Sequence, residues 1–393
     1  MAEGAGPLAG VRVLDLSWIG VGCITTWLLA ELGADVWKVE PVDGTDNART
    51  MEPLVRGVGV NHLVFDRGKR SLPVNLRLPA GRDVFLAVAG TVDVVVEGMR
   101  PGVADRLGIG AGALRERRPA LSYVTLPGYG SGGPLSGAAG HDLNYAAMAG
   151  VLSMARQETT APAPVQVADW LAATLAALAA VSGVLQAGRT RDGVVAESSL
   201  FDGAMFSLVV AQAQALMLGV DVGARTSMLS GELACYSVYR CADGELLAVA
   251  ALEERFWQRF CALTGIDDGG AQHDRGRQDL LRATVAEVLA TRSRAEWLAV
   301  FGDEDVCVSP VLTVAEGLRL PHVRERAGVG WLRHPDGSVV EAPAMPLHLG
   351  PPDATRVART PALGEGAREL LGSAGLATEE IERLHAAGVV HAP

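Results

Sequence analysis

Val11-Arg12-Val13-Leu14-Asp15-Leu16, a turn holding Gly20 and Gly22, Thr25 to Leu32, then Ala34-Asp35-Val36-Trp37-Lys38-Val39-Glu40: this stretch decides the fold. The first segment alternates and is rich in branched residues, which predicts a strand. Thr25 to Leu32 reads as a helix that Gly33 ends, and Ala34 to Glu40 as a second strand. Strand, glycine turn, helix and strand make a βαβ unit, whose right-handed crossover implies a parallel sheet. Gly20-x-Gly22 lacks the third glycine of a dinucleotide fingerprint, so a nicotinamide site is poorly supported. Glu40 falls where a ribose-binding acid sits, but an acid at a strand end is as readily structural.

Moving outward, Leu72 to Leu76 reads as a strand, Pro79 to Ala89 as a helix, and Val92 to Glu97 and Leu121 to Leu126 as buried apolar strands. Gly98-Met99-Arg100-Pro101-Gly102 follows at a strand's carboxyl end, the edge where open α/β sheets bind ligands. Asp66-Arg67-Gly68-Lys69-Arg70-Ser71 is the densest basic cluster. It reads either as a solvated turn or as a phosphate clamp, since guanidinium forks and ammonium charges suit phosphate oxygens. The glycine-dense turn Pro127 to Gly140 leads to Gly140-His141-Asp142-Leu143-Asn144-Tyr145, where a histidine and a carboxylate stand side by side before an apolar segment. By itself such a pair is more often a capping arrangement than a catalytic one. Pro162 to Val167 reads as extended. Asp169 stands before an Ala-rich helix, Trp170 to Gln186, where N-cap duty is the simplest role. Asp202 to Leu218 reads as one long helix and Gly219 to Gly231 as a linker.

From Ala234 the character changes. Tyr236 to Tyr239 and Leu246 to Ala251 flank Asp243-Gly244, a hairpin signal. The helices expected after it begin at Glu253, Leu280 and Arg294, so this region reads as a smaller α+β domain. Gly330 to Leu349 suggests strands and Thr378 to Ala387 a last helix.

The chain has 393 residues, enough for two domains, and a net charge of -11 that argues against a nucleic-acid partner. Local basic patches leave a phosphorylated small molecule open. The five cysteines, Cys23, Cys235, Cys241, Cys261 and Cys307, are scattered without metal-ligand spacing, so no metal site is expected and they read as free thiols of a reducing cytosol. MAEGAGPLAG has no basic n-region or apolar h-region, so no secretory signal is expected. Trp170 to Gln186 is shorter than the ~20 apolar residues of a membrane span and reads as a buried helix.

The order of these motifs resembles one family, the class III coenzyme A transferases together with the α-methylacyl-CoA racemases (the CaiB/BaiF family). The likeness is carried by Gly6 to Leu16, Leu32 to Glu40, Arg67 to Ser71, Glu97 to Val103, Gly128-Tyr129-Gly130 with Gly133-Pro134, Ser199 to Gly203, Tyr239-x-x-Ala242-Asp243-Gly244 and Pro310-Val311-Leu312. The resemblance implies a Rossmann-like large domain with a parallel sheet, built from residues 1–218 and 329–393. A linker and smaller α+β domain would occupy 219–328. It further implies an interlaced homodimer, a coenzyme A thioester as substrate and no tightly bound cofactor. The phosphates would meet Lys38, Arg67, Lys69, Arg70 and Arg100, with Met99 beside them.

Within the family, Asp169 matches the aspartate that is a nucleophile in transferases and an acid/base in racemases. His141, in a Gly-His-Asp-x-Asn-Tyr-like stretch, and Glu253 match the racemase pattern. That resemblance implies inversion of an α-carbon, with His141 and Asp169 exchanging the proton and Glu253 orienting the imidazole. The transferase reading keeps Asp169 as nucleophile, and a third reading is a lapsed member that serves only for binding. Trp170 beside the aspartate, Glu232, Cys23 and Trp27 depart from the family pattern, which leaves the acyl group open, and with it whether coenzyme A or a carrier protein bears it.

Overall fold

The structure is a computed structural model that describes residues 6–154, 165–224, 226–347, 349 and 355–393; Pro162, Ala163 and Pro164 of the expected extended segment lie outside these. The chain divides into two compact units. One comprises Met1–Ala149, Ala163–Ser207 and Pro321–Pro393; the other comprises Gly150–Pro162 and Leu208–Leu320. The sequence reading had set the corresponding breaks at 218/219 and 328/329.

The large unit is built on strands β1 (Arg12–Leu16), β2 (Asp35–Glu40), β3 (Arg70–Pro73), β4 (Val94–Glu97), β5 (Ser122–Thr125) and β6 (Val195–Glu197). They form one parallel sheet in the order β3-β2-β1-β4-β5-β6. Its first part also holds helices α1 (Val21–Glu31), α2 (Val60–Phe65), α3 (Pro79–Ala89), α4 (Val103–Arg106), α5 (Ala111–Arg117), α6 (Asp142–Ala149), α7 (Val167–Thr190) and α8 (Leu200–Phe206), besides a short helix Asn47–Thr50 and a small hairpin of Leu54–Val55 and Val58–Gly59. Side-chain alternation sorts the faces. Val13, Val36, Val94, Val96 and Val124 pack with Leu29 of α1 and Ala176, Ala177 and Ala180 of α7. Leu14, Leu72, Val95 and Tyr123 pack with Val84, Phe85 and Val88 of α3 on the other face.

Small residues let α7 lie close. A Cβ on Gly183 would stand 2.3 Å from Ser122 Oγ, and one on Gly203 of α8 would stand 2.8 Å from Ala172 N. At 24 residues α7 is longer than the expected Trp170 to Gln186, and it is apolar and long enough to cross a membrane by composition alone. Its alanine face is instead buried against the sheet and α1. The expected single helix over Asp202 to Leu218 is two, α8 and then α9 (Val209–Leu218), with Ser207 and Leu208 between them. The Ser207 hydroxyl turns back to the Ala204 carbonyl at 2.7 Å, which competes with helix continuation.

The small unit holds the hairpin β7 (Tyr236–Arg240) and β8 (Leu246–Ala250), paired antiparallel around Gly244 at φ 83°. Its helices α10 (Glu254–Thr264), α11 (Gln278–Leu289) and α12 (Arg294–Phe301) and strand β9 (Val308–Pro310) follow. Trp257, Phe260, Phe301 and Trp297 stack in series at centroid distances of 5.3, 5.8 and 5.7 Å. The chain then rejoins the large unit with β10 (Val329–Arg333), β11 (Val339–Pro343), β12 (Val357–Arg359), α13 (Ala367–Ser373) and α14 (Thr378–Ala386).

Beneath α1 and α2 the large unit buries an ionic cluster. Lys69 Nζ reaches Asp15 Oδ2 at 2.9 Å and Asp66 Oδ1 at 3.0 Å. Lys38 Nζ reaches Asp66 Oδ2 at 2.8 Å and Asp46 Oδ1 at 3.4 Å. Burial alone would raise the Asp66 carboxyl, but Lys38 and Lys69 outweigh it and hold the group well below its ordinary range. Removing one partner of a buried pair leaves the other charge uncompensated, at a cost of about 3–5 kcal/mol. Lys69→Met is therefore expected to lower stability by that much in urea unfolding. Arg70→Ala removes a half-exposed pair and is expected to cost below ~1 kcal/mol.

Candidate active site

Asp169 is the third residue of α7, not its cap. Gln166 occupies the cap position without a side-chain bond, which corrects the N-cap reading. The capping acceptor comes from another helix. Asp142, first residue of α6, accepts the Ala168 and Asp169 N–H groups at 2.7 and 3.1 Å through one oxygen. A carboxylate at a helix N-terminus also meets the positive end of the helix dipole. Asp142 thus belongs to the scaffold and frees the Asp169 side chain to face the turn after β1. There the position a Cβ would take on Gly20 (φ 82°) is 3.7 Å from Asp169 Oδ2.

His141 precedes α6. Its own N–H donates to Asn144 Oδ1 at 3.1 Å, which fixes the backbone, and its exposed ring has no hydrogen-bond partner among the described residues. Tyr145 underpins this corner: its hydroxyl donates to the Gly140 carbonyl at 2.7 Å, and its ring meets Tyr129 edge-on at 4.8 Å. Any side chain at Gly128 would strike the Tyr145 hydroxyl, with a Cβ at 2.4 Å. Gly128 and Gly140 leave the space that Tyr145 fills.

The electrostatics follow from this packing. Burial pushes the Asp169 carboxyl up to about 6; the Asp142 carboxylate adds to the rise and His141 opposes it. The structure therefore brings His141 and Asp169 of the large unit together. Glu253 lies in the small unit at the cap position of α10, exposed and without a side-chain cap bond.

The expected phosphate clamp is largely overturned. Lys38 and Lys69 are the buried cations described above, 1% and 5% exposed. Arg67 is buried too: it pairs with Glu31 at 3.1 Å, donates to the Pro343 carbonyl at 2.6 Å and lies 4.8 Å over the Trp27 ring. Arg70 opens β3 and pairs with Asp35 at the start of β2, so it sits toward the amino ends of the strands. Of the six, Met99 and Arg100 remain at the carboxyl edge, and Arg100 is exposed with no ion-pair partner among the described residues. A spacing of Asp15, Cys23 and Asp66 that could suit a metal is filled by ammonium groups. Lys69 Nζ bonds both carboxylates, and Lys38 Nζ is 3.8 Å from the thiol.

Trp170, beside Asp169, is 39% exposed and meets Phe65 edge-on at 6.0 Å, which in turn meets Trp27 at 5.7 Å. Glu232 pairs with Arg275 in the small unit. Gly20, Tyr145 and a capping pair at His141-Asp142 were visible in the sequence, but not that Asp142 caps the helix carrying Asp169. A carboxylate opening one helix and serving the next has no local signature, whereas Gly128 and Gly140 were visible as a glycine-dense turn.

A doubly flanked parallel sheet with an acid and an imidazole at its carboxyl edge defines an α/β enzyme. The chain belongs to CoA-transferase family III, whose model matches residues 8–367. It is 32% identical over 390 residues to "Alpha-methylacyl-CoA racemase" of Homo sapiens, covering 98% of this chain and 97% of that protein. It is 28% identical over 338 residues to "Acetyl-CoA:oxalate CoA-transferase" of Acetobacter aceti, covering 83% and 86%. Among solved structures, a CaiB/BaiF family protein from Brucella suis matches with a TM-score of 0.79 at 25% identity, covering 94% of this chain and 99% of that one.

The raised Asp169 has a consequence for stability. Between its unfolded value of 3.8 and its folded value of about 6, the native state binds more protons than the unfolded one. Stability therefore falls as pH rises through that window and stays lower above it. Asp169→Asn is expected to match the wild type near pH 4 and to exceed it above pH 6 by roughly 1–3 kcal/mol. Thermal unfolding across pH 4–8 measures the difference. In Asp142→Asn, loss of the neighbouring charge should move the Asp169 titration to lower pH, read by carboxyl NMR.

Proposed function

We propose that this protein is an acyl-CoA racemase that inverts the α-carbon of a 2-methyl-branched or related α-substituted acyl-CoA. The arrangement that supports this reading is the partly buried Asp169 carboxyl, facing the Gly20 turn with the loop of His141 and Asp142 bonded to its backbone, in a setting that raises it to about 6. A proton carrier works best when its own titration lies near the working pH. A nucleophilic carboxylate would instead benefit from neighbouring cations that keep it ionised, and Asp142 supplies the opposite sign.

In the reaction one of His141 and Asp169 takes the α-proton as the Cα–H bond breaks. The electron pair passes into the thioester carbonyl to form an enolate. The other group delivers a proton to the opposite face, so the configuration inverts and the two groups exchange protonation states. Glu253 would orient the imidazole, brought to it by the small unit of a second copy in a homodimer. The exposed apolar residues of α9 support such a copy, with Leu216, Met217 and Leu218 exposed by 87%, 81% and 71%. The five free thiols accord with a cytoplasmic setting.

Similarity to named CoA-transferases supports a second reading, transfer of coenzyme A between carboxylic acids through an acyl-enzyme at Asp169. The two part on one experiment. In deuterated buffer a racemase exchanges the α-hydrogen of a branched acyl-CoA with no acyl acceptor present. His141→Ala and Asp169→Asn should each lower the inversion rate by about 10²–10⁴-fold. No exchange with any branched acyl-CoA, together with hydroxylamine trapping at Asp169, sinks the racemase reading in favour of transfer.

A further inference from the structure

Glu253 stands at the cap position of α10 and does not cap it. Serine, threonine, aspartate and asparagine reach helix N–H groups from that position, and glutamate does not rank with them. The same unit opens α12 with Ser293, which accepts the Glu296 N–H in a capping box. At α10 the acid is exposed, and its carboxylate has no hydrogen bond or ion pair among the described residues. Nothing at the tip of the side chain fixes its direction, so the direction comes from the backbone that bears it.

That backbone, Ala250 to Glu253, is held bond by bond. Ala250 N–H donates to the Cys307 carbonyl at 3.0 Å and Ala251 N–H to the Cys235 carbonyl at 2.8 Å. The Glu253 carbonyl accepts the Phe256 and Trp257 N–H groups at 3.0 and 3.1 Å. The Ala251 and Leu252 carbonyls are taken by one side chain, Gln272, whose Nε2 donates at 3.2 and 2.8 Å. Two carbonyls facing one terminus require two hydrogens, which sets the amide orientation and which a hydroxyl or a carboxylate cannot supply. Gln272 is 6% exposed and is anchored in turn by Gln278 of α11. The Gln278 amide donates to the Ala271, Gln272 and Asp274 carbonyls at 2.9, 3.2 and 2.9 Å, and its oxygen accepts the Ala234 N–H at 2.8 Å. A line of amides therefore runs from α11 to the peptide bond that joins Leu252 to Glu253. Without Gln272 the two carbonyls lose this donor, and a peptide that turns toward another donor swings the Glu253 side chain with it.

We propose that Gln272 is a positioning residue that aims Glu253, through the Leu252–Glu253 peptide, for its part in the proton transfer. The proposal rests on the racemase reading above, in which Glu253 orients the imidazole. Its effect belongs to kcat and not to KM, since a group displaced by about 1 Å costs up to roughly 10²-fold without changing what binds the substrate. The structure also supplies a reporter. Cys307, whose carbonyl holds Ala250, is exposed, and the other four thiols are buried. Burial raises the Cys307 thiol, Asp305 and Glu253 add to the rise, and Arg255 opposes it. A Glu253 turned away from Cys307 lowers the pH at which that thiol ionises.

Solvent-deuterium exchange into a branched acyl-CoA and the pH profile of Cys307 alkylation by iodoacetamide, both on the full chain, test this together. Gln272→Met keeps the length and removes the donors. Gln272→Asn keeps the donors but withdraws them by one methylene, and it decides the matter where thermal unfolding shows the first variant unfolded. Either is expected to lower kcat roughly tenfold to a hundredfold, with KM within about twofold of wild type. In a Glu253→Gln background the same change should cost less than about twofold more, because both act through one group. The alkylation profile of the Gln272 variants should move to lower pH, the direction in which Glu253→Gln moves it. An unchanged kcat, an equal loss in both backgrounds, or an alkylation profile that stays in place each overturns the proposal and leaves the racemase reading standing. Exchange at the wild-type rate in Glu253→Gln removes Glu253 from the reaction, and no exchange by the wild type removes the reaction itself; either also overturns the proposal.

Discussion

Two ammonium groups buried under helix α1 fix the geometry on which the rest of the large unit depends. Lys38 and Lys69 neutralise Asp66 between them, Lys69 also holds Asp15, and Lys38 also holds Asp46. His62 adds a further bond. Its Nε2 faces the Arg49 guanidinium at 3.0 Å, which can only donate, so Nδ1 carries the proton and donates to Asp66 at 2.8 Å. Such a cluster is weak evidence of net stabilisation, because desolvation offsets much of the attraction. What it does specify is position. Lys38 donates to the Trp18 carbonyl at 3.4 Å and Lys69 to the Cys23 carbonyl at 3.3 Å. Thr26 closes the loop onto Asp15 at 2.6 Å, and burial pushes the Cys23 thiol up to about 12, an inert filler in this setting.

That loop is the one Asp169 faces. A Cβ on Gly22 would stand 2.2 Å from Ser17 Cβ, so the helix can start this close to the end of β1 only with glycine there. The same cluster reaches the end of the chain. Arg49 binds Glu40 at 2.6 Å and the Pro361 carbonyl at 3.1 Å, while Ser71 bridges Glu40 at 2.5 Å to the Gly364 N–H at 2.8 Å. The returning C-terminal segment is thereby tied to the strands that open the chain, and the large unit is assembled from distant pieces.

This explains what was legible in the sequence and what was not. Local patterns were legible: the helix Pro79–Ala89 falls at its expected bounds and the helix Arg294–Phe301 at its expected start, because propensity and periodicity act within a few residues. The family resemblance likewise reached His141 and Asp169 through motifs, before any distance was available. The basic cluster misled because its partners are remote. Nothing near Lys69 announces that Asp15, 54 residues earlier, will meet it, so cations that read as a clamp for phosphate became a clamp for the protein's own carboxylates. Asp169 misled for the converse reason: the cap it was expected to provide comes from Asp142, 27 residues away.

Burial and cations compete at each carboxyl group of the large unit, and the outcome differs with place. At two core positions cations outweigh burial: Asp66 is held low by Lys38 and Lys69, and Glu31 by Arg67 and Arg356, whereas at Asp46 burial outweighs Lys38. At the carboxyl edge the balance reverses. Glu97 is buried and Asp169 partly buried, neither has an ion pair to Lys or Arg among the described residues, and both rise toward neutrality, to about 7 and about 6. Drawing Lys38, Arg67 and Lys69 inward both builds the scaffold and withholds positive charge from the carboxyl edge. An edge arranged in that way favours groups that hold and release protons near neutral pH over groups that stay ionised. The acidity of the site is thus set by where the lysines went as much as by the acids themselves.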